Sequence, residues 1–301
     1  MSGVGGRTVR AAAAAKLNLY LHVLGRRDDG YHELDSLIAF TGAHDVVSVT
    51  PAAGFSLTVE GPFAAPLLLE GPAGNLVSRA ASLLADSLGR APDVAITLTK
   101  NLPVASGIGG GSADAAATLR ALAVLWDLAP DDPRPAALAP RLGADVPVCL
   151  FGRTAYFGGA GERVEAAPAL PDAWLVLANP GVPVPTRDVF AARRGGWSAP
   201  ARLERAPADA AELALMLRER GNDLQAPAQE VAPAVAEVLA ALDVTPGCLL
   251  SRMSGSGATC FGLYADAEAA AAAARLLARV RPAWWVQAAA LLPDVTGVEE
   301  G

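Results

Sequence analysis

Four glycines fall within five positions in the run Pro103-Val104-Ala105-Ser106-Gly107-Ile108-Gly109-Gly110-Gly111-Ser112-Ala113-Asp114. With no side chains in the way, backbone N–H groups there can approach an anion closely. A helix starting at Ser112 would add its unpaired N–H groups and positive dipole end. That chemistry is a phosphate cradle, and a β-branched residue at Gly110 is expected to fill the space the phosphates need. The P-loop pattern is absent, because Ser112 follows Gly111 directly with no lysine between. Gly107, Gly109 and Ser112 fit the dinucleotide spacing loosely, but Asp131, about 20 residues on, has no apolar strand to present it to a ribose. A second glycine cluster, Ser254-Gly255-Ser256-Gly257, could close on the phosphates or be a plain turn.

Phosphoryl transfer to an alcohol also needs a group to take the hydroxyl proton and a cation to offset developing charge. All three histidines lie within residues 22–44, so no Ser-His-Asp arrangement suggests itself. A carboxylate is the better candidate base. Asp145, in Gly143-Ala144-Asp145-Val146-Pro147 just past an expected helix end at Leu142, stands at an element terminus, where it either caps a turn or serves a site. Lys16 follows a run of alanines and precedes an alternating strand, where a long cation either snorkels to the surface or faces a partner. Tyr31 and His32 follow an Asp-Gly turn, whose tip seldom buries two rings. Cys149, Cys248 and Cys260 are odd in number and unpaired in spacing, so neither a disulfide framework nor a zinc site is expected, and no metal ligand is assigned.

The elements that must position these groups alternate between period two and helical period, the pattern of a mixed α/β protein. Strands are expected over 8–24, interrupted by the alanines, then 34–50 and 55–60, with a hairpin turn at Asp28-Asp29-Gly30. Asn75 is an N-cap for a helix to Leu88 with Leu76, Ala80, Leu83, Leu84 and Leu88 on one face and Gly89 as its stop. Val94, Ile96 and Leu98 mark a half-buried strand before the glycine loop, and a helix over 112–126 follows it. Past a break at Gly158-Gly159-Ala160-Gly161 come a strand at 174–178, helices at 210–220 and 229–242, two strands around the second glycine loop and an alanine-rich helix. The break suggests two domains, 1–160 and 161–301. Residues 195–209 read as a surface loop.

Composition sets the outer limits. The 301 residues suffice for two domains, and 24 basic against 31 acidic residues leave a net charge of −7. That balance argues against a nucleic-acid partner, which demands clustered Lys and Arg. No uncharged apolar run reaches the roughly 18 residues of a spanning helix, so no membrane partner and a cytoplasmic location are expected.

Pro-x-x-x-Gly-Ile-Gly-Gly-Gly-Ser-Ala-Asp-Ala-Ala resembles the second motif of the GHMP small-molecule kinases. Ala15-Lys16-Leu17-Asn18-Leu19, Asp29-Gly30-Tyr31-His32, Gly143-Ala144-Asp145-Val146-Pro147, Pro180-Gly181, Pro185-Thr186 and Ser254-Gly255-Ser256-Gly257-Ala258 carry the same resemblance, in the family's order. It implies a two-domain fold, α/β with a ferredoxin-like C-terminal domain, using ATP with Mg²⁺ and acting on a small molecule, as a monomer or weak homodimer. The triple glycine and Asp-Gly-Tyr-His favour the branch that phosphorylates the 2-hydroxyl of a cytidine-diphosphate-linked methylerythritol. Homoserine and mevalonate kinases are rivals within the family. A nucleotide-binding regulator that kept the fold and lost catalysis is a rival of a different class, and a dinucleotide oxidoreductase is a third. The resemblance makes Asp145 the base and Lys16 its cationic partner, with Asn18 hydrogen-bonding the substrate or Asp145. It sandwiches the cytosine between Tyr31 and Phe190, gives its edge to His32, adds Thr186 to the substrate site, and brings Asn75 and Lys100 toward the nucleotide. The alanine-rich stretch 195–217 matches nothing in the pattern.

Overall fold

The computed structural model describes residues 6–71 and 74–301. Strand β1 (Val9–Arg26) runs through the alanine run without interruption, turns at Asp28-Asp29-Gly30, and returns as β2 (His32–Pro51). Gly30 supplies the positive φ of that turn, +88°. The alanines continue the strand because their faces are covered: Ala11, Ala13, Ala14 and Ala15 are all buried, and small side chains let a helix lie close. Strand β3 (Ser56–Glu60) pairs in parallel with β4 (Val94–Thr99), and β4 pairs antiparallel with the far end of β2.

Four helices belong to this half besides the short α1 (Ala65–Glu70): α2 (Leu76–Ser87), α3 (Gly110–Leu125), α4 (Pro133–Leu142) and α5 (Val146–Phe151). Helix α3 packs on β1 and β2, and α2 packs on α3. The inner face of α2 is Val77, Ala80, Ala81, Leu84 and Ala85, which keeps Ala80 and Leu84 of the expected face but not Leu76, Leu83 and Leu88. Leu76, Leu83 and Leu88 are only partly buried, since the small Ala80 and Ala81 are what allow close approach to an alanine-rich α3. Strands β5 (Ala155–Gly159) and β6 (Arg163–Ala166) form a hairpin on the near end of β2, and the glycine-rich 158–161 is its turn region.

The remaining chain builds β7 (Trp174–Asn179), α6 (Thr186–Ala192), α7 (Ala210–Arg218), α8 (Gln225–Val231), α9 (Ala234–Asp243), β8 (Leu250–Met253), β9 (Cys260–Tyr264), α10 (Ala267–Val280), β10 (Trp285–Leu292) and β11 (Val298–Glu300). The single helix expected over 229–242 is two, α8 and α9. Pro233 between them has no N–H to continue a helical ladder. Strand order is β11-β1-β2-β10-β7-β9-β8, so β10 and β11 join the C-terminal half to the long hairpin. Helices α9 and α10 cover one face of β7 and β9 through Val235, Val238, Leu242 and Leu277. No helix of the described residues is long and apolar enough to cross a membrane.

Candidate active site

The two glycine loops meet backbone to backbone. Thr259 N donates to Ser106 O (3.1 Å), Ser254 Oγ donates to Gly107 O (3.0 Å), and Asn18 N donates to Ser254 Oγ (3.1 Å). A Cβ on Gly107, whose φ is +79°, would stand 2.6 Å from Ser254 O and 2.7 Å from Gly257 O. Only glycine fits that contact. Asn222 fastens the second loop by donating from Nδ2 to Met253 O and Gly255 O, both at 2.8 Å.

Helix α3 starts at Gly110, two residues before the expected Ser112, with Gly109 at φ +66° preceding it. Its first N–H groups have no intrahelical partner. Val104, Ala105, Ser106, Gly107, Gly109, Gly110, Gly111 and Ser112 line a cavity of about 500 Å³ together with Lys16, Asn18, Asp145, Thr186, Phe190, Gly255 and Ser256. Pro103, Ile108 and Ala113 are buried behind that surface, and Ile108 O accepts from Lys16 N at 3.0 Å. Ser254 is fully buried, and Ser256 Oγ lies 2.8 Å from Thr186 Oγ1 across the cavity.

Gly110 lines the cavity, and a Cβ there would stand 3.5 Å from Lys100 Nζ and 3.7 Å from Asp45 Oδ2, so a larger residue would also meet the charged cluster beneath the loop. Lys100 lies under the loop, only 2% exposed, and Nζ bonds Asp45 and Asp114, the latter at 2.8 Å. Burial opposes its charge, but Asp114 and Asp45 outweigh burial and raise its pKa. Burial pushes Asp114 up to about 7 against the pull of Lys100. Asp45 also accepts from Leu102 N (2.8 Å) and Asn101 N (2.5 Å), which ties β2 to the chain entering the loop. Lys100 thus braces the cradle from below rather than reaching into it. Asn75 spends its side-chain oxygen as the cap of α2, accepting from Val77 N at 2.9 Å.

Lys16 and Asn18 stand two residues apart on β1 and so share a face. Irregularities in the β1–β2 register fall on either side of them, between Ala14 and Lys16 and between Asn18 and Tyr20. Lys16 Nζ donates to Asn18 Oδ1 (2.7 Å) and lies 3.3 Å from Asp145 Oδ2. Asn18 Nδ2 donates to Ser36 Oγ (2.8 Å), and Ser36 Oγ to Tyr20 O (2.5 Å), so the amide orientation is set by β2. The Lys16 side chain is 5% exposed and that of Asp145 32%: a buried cation beside a carboxylate open to the cavity. Asp145 precedes α5 but makes no cap bond, which leaves its oxygens for the cavity.

At the other end, His32 stacks on Phe190, with ring centres 4.5 Å apart and planes at 20°. Tyr31 is 64% exposed at the hairpin tip. In this state it is the imidazole, rather than Tyr31, that lies on the Phe190 ring. Burial, then the charges of Arg26 and Arg193, hold the His32 pKa below its ordinary value.

A nucleotide-sized cavity between two glycine loops, with a Lys–Asp pair at its wall, is what a small-molecule kinase needs, and the comparisons agree. Residues 75–153 match the GHMP kinases N terminal domain and residues 203–281 the GHMP kinases C terminal domain. A 4-diphosphocytidyl-2-C-methyl-D-erythritol kinase of Rhodospirillum rubrum is 52% identical over 291 residues, 97% of this chain and 95% of the relative. One of Paramagnetospirillum magneticum is 54% identical over 93% of this chain and 97% of the relative. The chain belongs to this family of GHMP kinases. A crystal structure of 4-(cytidine 5'-diphospho)-2C-methyl-D-erythritol kinase superposes with a TM-score of 0.75 at 37% identity, covering 94% of this chain and 98% of that one. A homoserine kinase from Cytophaga hutchinsonii reaches 0.73 over 100% of this chain and 99% of that one at 17% identity, which shows the fold alone.

Sequence reasoning missed Ser36, Asp45, Asp114 and Asn222. A signal existed for the last, since Gly221-Asn222-Asp223 is a turn sequence. Ser36 and Asp45 lie on β2 and Asp114 on α3, and only packing between distant elements gives them partners.

Proposed function

We infer that the chain transfers the γ-phosphoryl group of ATP to the 2-hydroxyl of 4-diphosphocytidyl-2-C-methyl-D-erythritol, a step of non-mevalonate isoprenoid precursor synthesis. The observation that carries this is the Lys16–Asp145 pair, 3.3 Å apart on the wall of a cavity whose other wall is the glycine loop. The hydroxyl oxygen attacks the γ-phosphorus while its proton passes to Asp145. The bond from the γ-phosphorus to the bridging oxygen breaks, and ADP leaves. Lys16, fixed by Asn18, sets its charge beside the oxygen that loses the proton. The α3 N-terminus and the N–H groups of Gly109, Gly110 and Gly111 receive the phosphates. In this reading residues 1–160 hold the nucleotide loop and the base, and residues 161–301 close on the phosphates with Ser254, Gly255, Ser256 and Gly257.

Among the described residues no cluster of three or more His, Cys, Asp or Glu could hold a metal by itself. Magnesium would suit such a site, since it draws most of its shell from phosphate oxygens and water. The Ser112 hydroxyl on the cavity wall would hold it beside the phosphates, leaving Asp145 to take the proton. When bound it offsets charge on the β- and γ-phosphates. The cytidine end would lie toward Phe190 and His32, with Thr186 between base and phosphates, and Tyr31 folding over the base from the hairpin tip.

The test is product analysis. ATP and the cytidine-linked alcohol should give ADP and the 2-phosphate in equal amounts, with homoserine and mevalonate left unphosphorylated. Phosphorylation of either of those in preference would overturn the reading.

A further inference from the structure

The segment after α6 has no regular element and matched no motif, yet it is pinned along its length. Ser198 N donates to Val23 O (3.0 Å), Ala201 N donates to Asp35 Oδ2 (3.0 Å), and Leu203 N donates to Tyr156 Oη (2.8 Å). Ala199 O lies 2.9 Å from His22 Nδ1, and Leu203 is itself buried. A surface loop bonded to β1, β2 and β5 in this way has a defined position.

That position sets Trp197 beside the aromatic pair of the site. Its ring centre lies 6.3 Å from that of His32, tilted by 57°. The Arg193 guanidinium lies 4.8 Å over the indole. Arg193 is anchored in turn: its side chain is 8% exposed, it donates to Gly196 O at 2.6 Å, and it lies 3.8 Å from Asp223, which accepts from Val23 N at 2.7 Å. Trp197, by contrast, is 55% exposed. A large indole held open to solvent by a buried cation, next to a stacked ring pair whose Phe190 lines the cavity, has little to contribute to a core. Its free surface suits a flat, partly polar ligand.

We propose that Trp197 is an outer wall of the nucleoside end of the substrate site, contacting the base or ribose of the cytidine diphosphate group, and that Arg193 is the positioning residue that holds it there. This rests on the reading that the cytidine end lies against Phe190 and His32. The wall comes from the C-terminal half of the chain while His32 comes from the first hairpin, so a nucleoside there is gripped from both.

The test compares Trp197→Ala, Trp197→Phe, Arg193→Met and Arg193→Lys with the wild type in steady-state kinetics and in calorimetric titration with CDP. Trp197→Ala should raise the KM for the cytidine-linked substrate and the Kd for CDP together, by about 5- to 50-fold if its contact approaches base stacking in strength. Its kcat should stay within about twofold and its KM for ATP should not change, because contacts to the remote nucleoside are similar in ground and transition states. Trp197→Phe should retain most of the affinity. Arg193→Met should show the same KM-selective loss, Arg193→Lys should restore most of it, and Arg193→Met added to Trp197→Ala should cost little more. If Trp197→Ala leaves KM and CDP affinity unchanged while the wild type binds CDP, the wall is wrong and the base site stands. A wild type that does not bind CDP overturns the base site and the wall with it. A fall in kcat or ATP affinity without a change in KM for the cytidine-linked substrate also overturns the proposal.

Discussion

Gly109 makes room for Lys16. A Cβ at Gly109 would stand 2.7 Å from Cγ of Lys16, and the residue's φ of +66° disfavours any side chain there. The loop that receives phosphate and the cation that serves the base are therefore packed against each other, and neither can shift alone.

Gly109→Ala should accordingly impair catalysis by displacing Lys16. We expect a fall in kcat of about 10- to 100-fold, of the order seen when one electrostatic group of a site is misplaced. About 1–2 kcal/mol of stability should be lost to the left-handed backbone. Gly89→Ala is the control, since Gly89 lies outside the site with nearly the same φ, +65°, and a Cβ there meets nothing within 4 Å. Kinetics and thermal melts of the two variants side by side test the contact. Equal effects on kcat would refute it.

Asp145→Asn should lower kcat by about 10²- to 10⁴-fold, the range of a positioned base, with ATP affinity nearly unchanged. Lys16→Met should also lower kcat. The double variant should cost little more than Asp145→Asn alone, because the two groups act as a unit. Near-normal turnover of Asp145→Asn would remove the base assignment.

The cluster under the cradle sets a pH dependence of stability. Asp114, with its pKa pushed up to about 7 by burial, favours its proton more in the folded state than in the unfolded chain, where the value is 3.8. Its contribution is complete below 3.8 and is lost as pH rises through about 7. Asp114→Asn carries no charge at any pH, so its melting temperature relative to wild type should rise between pH 4 and pH 8. A constant difference would show that the carboxyl does not titrate there. Lys100→Met should be far more damaging at neutral pH, by about 3–5 kcal/mol, because it leaves Asp45 and Asp114 buried without their counter-ion.

His32 gives the opposite sign. Its pKa is held down by burial and by Arg26 and Arg193, so the neutral ring persists below the ordinary value of 6.5. KM for the cytidine-linked substrate should stay flat as pH falls through 6.5 and rise only on further acidification, once the ring gains a charge beside two arginines. His32→Gln should remove that acid limb. A wild-type KM that already rises above pH 6.5 would contradict the environment described here.

Much of the cradle was legible in residue order. Glycine clusters announce themselves because no other residue tolerates close backbone approach, and Asp-Gly and Asn75 mark a turn and a cap through local chemistry that needs no partner. The alternation of Val94, Ile96 and Leu98 likewise reports a face without naming what covers it. What local pattern leaves open is which distant groups meet. The family resemblance brings Lys100 toward the nucleotide, but Asp45, 55 residues away on β2, and Asp114 on α3 claim its charge once the sheet forms. Gly110 reads as a phosphate contact, and only the tertiary structure shows that a side chain there would also meet Lys100 and Asp45. Trp197 is silent in sequence because its neighbours are small or turn-forming residues and arginines with no periodic pattern, and its place beside His32 depends on hydrogen bonds from its loop to strands over 160 residues earlier. Residue types and short spacings determined the kind of chemistry. Pairing across strands and between the two glycine loops decided which groups share the cavity, because long-range hydrogen bonds and ion pairs form only between elements that the packed sheet has already brought together.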